Sequence, residues 1–128
     1  MLSRSNIVAT LPCRGLKAAQ PFYSRKLGLK RTRGSVKEGF LEYQGAKGTT
    51  LLLFESTSKK KSDNTAVTFE VANLAREMAT LRKRGVKFQN YDLPGIKTVN
   101  GVMSAEGMGK AAWIKDPAGN VLALHEDE

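Results

Sequence analysis

The chain has 128 residues, 41% hydrophobic and 26% charged. That is the balance of one soluble globule able to bury a core, not of a disordered segment. Nothing approaches the ~20-residue apolar run needed to span a bilayer, and a start with one Arg4 and a short apolar run at residues 7–11 is a poor secretion signal, so no membrane association and a cytoplasmic location are expected. The net charge of +9 is uneven: residues 1–64 hold thirteen Lys/Arg against four acidic residues, and the rest balances at eight against eight.

A basic half favours anionic partners in a general way. No zinc finger, aromatic RNA-recognition signature or basic helix stripe accompanies it, so nucleic acid is not an expected partner. Cys13 is the sole cysteine, which excludes an intrachain disulfide and a cysteine-based zinc cluster.

In chain order, residues 6–11 alternate as a first strand, with Ile7, Ala9 and Leu11 on one face and Asn6, Val8 and Thr10 on the other. Leu16, Ala19, Phe22, Tyr23 and Leu27 then recur at helical spacing, and Gly28 is a natural stop. Pro21 removes a donor inside that pattern, so an irregular turn or kink is expected there. Strands follow at residues 30–37, 40–44 and 49–55, separated by glycine turns. Residues 56–64 are polar and carry the run Lys59, Lys60, Lys61, which reads as an exposed linker.

The order then repeats. Residues 66–71 form a strand, Asn73 is a fitting N-cap, and Leu74, Met78 and Leu81 stripe a helix that Gly85 ends. Residues 86–92 read as extended, a loop holds Pro94 and Gly95, and a short strand is expected near residues 98–104. The chain closes on a hairpin, 110–115 and 121–125. Pro117 and Gly119 shape its turn, and Asp116 and Asn120 can bond their own backbone.

Each half thus reads as strand, helix, then antiparallel strands. The expected fold is α+β: two βαβββ modules in a single domain 1–128, with module one at 1–56, a linker at 57–65 and module two at 66–128. Mixed sheets would curve around a cup with the helices outside.

The letters then support a resemblance. Leu16 through Phe22, Tyr23, Leu27 and Gly28, then Phe69-Glu70-Val71 before the second helix, then Asp116-Pro117-Ala118-Gly119-Asn120 near the end, resemble the vicinal oxygen chelate superfamily. It includes glyoxalase I, bleomycin resistance proteins and extradiol dioxygenases, and this chain looks most like its small bacterial members. The resemblance implies a divalent metal held by His, Glu or Gln from four strands, with open positions for substrate oxygens. Carried over one at a time, those positions fall on Val8, Leu52, Ala66 and Ala123. All four are aliphatic and offer no lone pair. A slip of the register would bring Asn6 or Thr10, Thr50 or Phe54, Thr68, and Val121 or His125 into view, and no plausible ligand set assembles from those either.

Strand alternation makes Val8, Thr10, Thr50, Leu52, Phe54, Ala66, Thr68, Glu70, Ala123 and His125 the lining of the cup, with Trp113 beside them. A mostly apolar cup with an aromatic ring suits an organic small molecule. The expected function is therefore metal-free binding of such a ligand without a cofactor, aromatic or anionic sooner than cationic. The alternative is an enzyme of the same superfamily (a lyase, isomerase or dioxygenase) with an atypical metal set, or with Glu70 and His125 as acid and base. The resemblance also implies a homodimer, and exposed edge strands give a physical reason for one.

Overall fold

The computed structural model describes residues 1–58 and 62–128. Lys59, Lys60 and Lys61, with the centre of the expected linker, lie outside the described residues. The contacts divide the chain into two compact units, Met1–Lys60 and Lys61–Glu128. Among the described residues no helix is long and apolar enough to cross a membrane.

The first unit begins with β1 (Val8–Cys13), α1 (Leu16–Pro21) and a π-turn (Phe22–Lys26). It continues with β2 (Lys30–Ser35), β3 (Phe40–Gln44) and β4 (Thr50–Glu55), giving a sheet of order β1-β4-β3-β2. β1 runs parallel to β4 and the other pairs are antiparallel. The first strand starts two residues later than its alternation implied, so Asn6 and Ile7 precede it, and it continues through Pro12. An edge position explains this: β1 pairs on one side only, so a proline nitrogen facing outward interrupts no ladder. Pro21 has the expected effect. The α-helical ladder ends there and the Leu27 N–H reaches back five residues to the Phe22 carbonyl at 2.9 Å.

The second unit repeats the topology: β5 (Thr65–Glu70), α2 (Leu74–Lys83), then β8 (Met103–Ala105), β9 (Gly109–Lys115) and β10 (Val121–Glu126) in the order β5-β10-β9-β8. A two-rung hairpin, β6 (Asp92–Leu93) with β7 (Ile96–Lys97), interrupts the long loop. The strand expected over residues 86–92 does not form. Residues 86–91 join no strand ladder, the Gln89 N–H being tied singly to the Trp113 carbonyl at 2.8 Å, and only Asp92 at the segment's end enters β6. Asn73 caps α2 as expected, accepting the Arg76 N–H at 3.0 Å. Gly85, at φ +85°, ends the helix. Its own N–H and that of Val86 satisfy the Arg82 and Leu81 carbonyls in a Schellman motif.

Each unit packs its helix on one face of its sheet. In the first, Leu11, Cys13, Leu41, Tyr43, Leu51 and Leu53 are buried with Leu16, Ala19, Phe22 and Tyr23. In the second, Ala112, Ile114, Leu122 and Leu124 are buried with Leu74, Met78 and Leu81.

Candidate functional site

Because strand residues alternate, burying one face against a helix turns the intervening residues to the other. In the first unit this outward face carries Val8, Thr10, Thr50, Leu52 and Phe54, in register with one another across β1 and β4. Phe40, Glu42 and Gln44 of β3 sit opposite Phe54, Leu52 and Thr50. Glu42 accepts the Thr32 hydroxyl at 2.9 Å and lies 4.0 Å from the Arg33 guanidinium, which also stands over the Phe40 ring. The β3 residues extend the sequence-derived set, and the strand register alone brings them there.

In the second unit the outward face carries Thr68, Glu70, Ala123, His125, Ala111 and Trp113. The register aligns Ala123 with Thr68 on one side and Trp113 on the other, and His125 with Glu70 and Ala111. Ala66 sits where the pairing of β5 with β10 skips a residue, so it opposes no residue of β10. The Trp113 indole N–H donates to the Thr65 hydroxyl at 3.0 Å, which fixes the ring across the strands. Tyr91 packs edge-on against that indole with centroids 5.6 Å apart, an arrangement aromatic quadrupoles favour. Tyr91 arrives from the irregular segment after α2, so strand periodicity gave no signal for it. Burial pushes its hydroxyl pKa up, helped by the Asp63 carboxylate, and keeps it a neutral donor.

Glu70 and His125 meet directly. The His125 Nδ1 is 2.7 Å from Glu70 Oε2, and its Nε2 is 2.6 Å from the Met108 carbonyl oxygen. Both ring nitrogens are therefore engaged with acceptors. The His125 pKa is raised, first by the Met108 carbonyl and next by the Glu70 hydrogen bond, against an opposing effect of desolvation.

With both faces laid out, the chain can be set beside known families. The profile of the Glyoxalase/Bleomycin resistance protein/Dioxygenase superfamily matches residues 6–124. The chain belongs to that superfamily. Solved structures overlay it almost completely. The bleomycin-binding protein of Streptomyces verticillus, complexed with copper(II)-bleomycin, is 22% identical with full coverage of both chains and a TM-score of 0.74. TnmS3, an antibiotic binding protein from Streptomyces sp. CB03234, is 19% identical, covers 100% of this chain and 99% of its own, and has a TM-score of 0.72. A lactoylglutathione lyase from Agrobacterium tumefaciens is 16% identical over 96% of this chain and 93% of its own, also at 0.72. At these identities the likeness is one of fold. No curated protein sequence matches the chain.

Superfamily members that use a divalent metal need lone-pair donors at four strand positions, and this chain does not fit that group. Val8, Leu52, Ala66 and Ala123 are hydrocarbon. The register slip offers no rescue within the second unit, where His125 is bound to Glu70 and Met108, and Thr68 beside Ala123 is a weak ligand. Among the described residues no three His, Cys, Asp or Glu side chains converge.

Proposed function

We propose that the protein binds a small organic molecule without a metal or other cofactor, holding it against a sheet face turned away from its helix. It acts in the cytoplasm as a homodimer. The observation that carries this reading is the replacement of all four ligand positions by aliphatic side chains in an otherwise complete fold. The braced Trp113–Tyr91 pair supports it too, since it offers a ring surface on which a flat ligand can stack. Bleomycin- and antibiotic-binding proteins among the structural neighbours are consistent with binding as a use of this fold.

Charge bears on the ligand's character. The first unit holds twelve basic against three acidic residues, so long-range attraction favours an anionic or aromatic ligand over a cationic one. The acid–base alternative is less well supported. A general base needs an accessible lone pair, and the ring nitrogens of His125 are occupied by Glu70 and Met108.

Thermal-shift and calorimetric screening against aromatic and anionic metabolites tests the reading. A hit whose affinity drops at least about fivefold in Trp113→Ala is expected, because stacking on a half-buried ring contributes about 1–3 kcal/mol. No hit from a broad set, or stoichiometric zinc, nickel, manganese or iron in protein purified without chelator, would overturn it. Light scattering checks the dimer; a monomer at working concentration removes that part.

A further inference from the structure

The His125 contacts impose a protonation state. The Met108 carbonyl carries no proton, so Nε2 must donate to it, and Nδ1 faces a carboxylate oxygen that also accepts. A neutral imidazole has one N–H and one lone pair, and would turn that lone pair on an acceptor at 2.6 or 2.7 Å, whichever tautomer it took. Beside an ionised Glu70, the ring satisfies both partners only as an imidazolium.

Its partners belong to three separate elements: Glu70 to the end of β5, His125 to β10, and Met108 to the turn between β8 and β9. We propose that His125 is a proton-operated latch: as an imidazolium it ties the turn at residues 106–108 to β10 and cancels the charge of Glu70, and its deprotonation releases the turn and leaves the outward face of the second unit anionic. The proposal deepens the binding reading and rests on it for its functional consequence. A face carrying paired Glu70 and His125 is neutral, and the same face with a neutral ring carries one net negative charge beside Trp113 and Ala111. An anionic ligand therefore loses affinity as the ring loses its proton.

The surrounding charges agree with that state. Glu70 from β5 and Asp127 from the tail both favour the cation. Glu128 accepts the Gly107 N–H and so anchors the other side of the same turn. Lys110 of β9 is in register with Glu126, one residue along from the Ala111–His125 pair, and so belongs to the opposite face. The direction follows from the raised pKa. The contribution of the latch is fully present below the usual imidazole value of 6.5 and is lost as pH rises through the higher folded value.

His125 is the only histidine of the chain, so its ring resonances are unambiguous in an 15N-resolved titration. The expected result is a midpoint above 6.5, with the ring doubly protonated below it, and Gly107, Met108 and Gly109 amide shifts that follow the same curve. Glu70→Gln is expected to move the midpoint downward, and His125→Gln to abolish the pH dependence of those amides while leaving the far-ultraviolet spectrum unchanged. A midpoint at or below 6.5, or turn amides indifferent to the titration, would overturn the latch. Binding of 8-anilinonaphthalene-1-sulfonate, an aromatic anion, at pH 6 and pH 9 tests the consequence. Weaker binding at the higher pH in the wild type alone supports it, and equal affinity at both overturns it. Absence of binding at either pH counts against the small-molecule reading, while the ring titration still decides the latch.

Discussion

At the scale of single residues, two glutamates do the same work at the same place in the repeat. Glu55 ends β4 and accepts the N–H groups of Gly15 and Leu16 at 2.8 and 3.2 Å, at the start of α1. Glu126 ends β10 and accepts the Leu74 N–H at 2.7 Å, at the start of α2. A carboxylate there satisfies donors that have no partner inside the helix and sits at the positive end of its dipole. The Gly15 and Leu16 N–H groups hold the Glu55 pKa below its ordinary 4.5. A depressed folded pKa stabilises above the unfolded value and is lost as pH falls through the folded one. Glu55→Gln is therefore expected to lower stability at neutral pH and to flatten the acid limb below 4.5 in denaturation measured against pH. An unchanged acid limb would remove Glu55 from that role. Asp116 is the other carboxylate with a structural duty. Buried at 5% exposure, it accepts from the Ala118 and Asn120 backbone and the Asn120 side chain. Asp116→Ala leaves those donors unmet and is expected to cost about 1–3 kcal/mol by urea denaturation.

At the scale of elements, what was legible in the sequence was whatever a period or a cap announces. Asn73, Leu74, Met78, Leu81 and Gly85 located α2, and Pro117 with Gly119 located the closing turn, because caps, turn residues and a helical apolar stripe are local features of the chain. Asn73→Ala should lose about 1 kcal/mol. Leu122→Ala, emptying a fully buried site on the helix-facing side of β10, should lose about 2–5 kcal/mol. Chemical denaturation of both variants checks the ranking. What was not legible depends on residues distant in the chain. Residues 86–91 have the letters of a strand and find no strand to pair with. Tyr91 reaches Trp113, and Met108 reaches His125, through a loop and a turn whose course no local period encodes. The helix-capping glutamates escaped for the same reason: Glu55 lies forty residues from Gly15. Which strand residues turn away from the helices follows from alternation, except at Ala66 where the pairing skips a residue, whereas the bonding of Glu70 to His125 needed the register of β5 on β10.

At the scale of the molecule, charge is divided as sharply as structure. All the excess lies in the first unit, twelve basic residues against three acidic, while the second holds nine of each. An anionic ligand is then expected to associate faster at low salt, its on-rate falling as ionic strength rises toward 0.1 M, where screening sets in at about 10 Å. Stopped-flow measurement across a salt series checks this, and a flat response would mean that the excess charge is too remote to steer.

The alternation of each strand between a helix-packed side and an outward side has one more consequence. The two sides are separate specifications written on interleaved letters. Leu122 and Leu124 can be kept while Thr68, Glu70 and His125 are rewritten, since only the buried Val121 and Ala123 tie that side to the packing. Lineages sharing this frame are free to exchange one chemistry for another, which is how a chain can overlay a bleomycin-binding protein along its full length at 22% identity. For a protein engineer, the outward residues are a palette already insulated from the foundations.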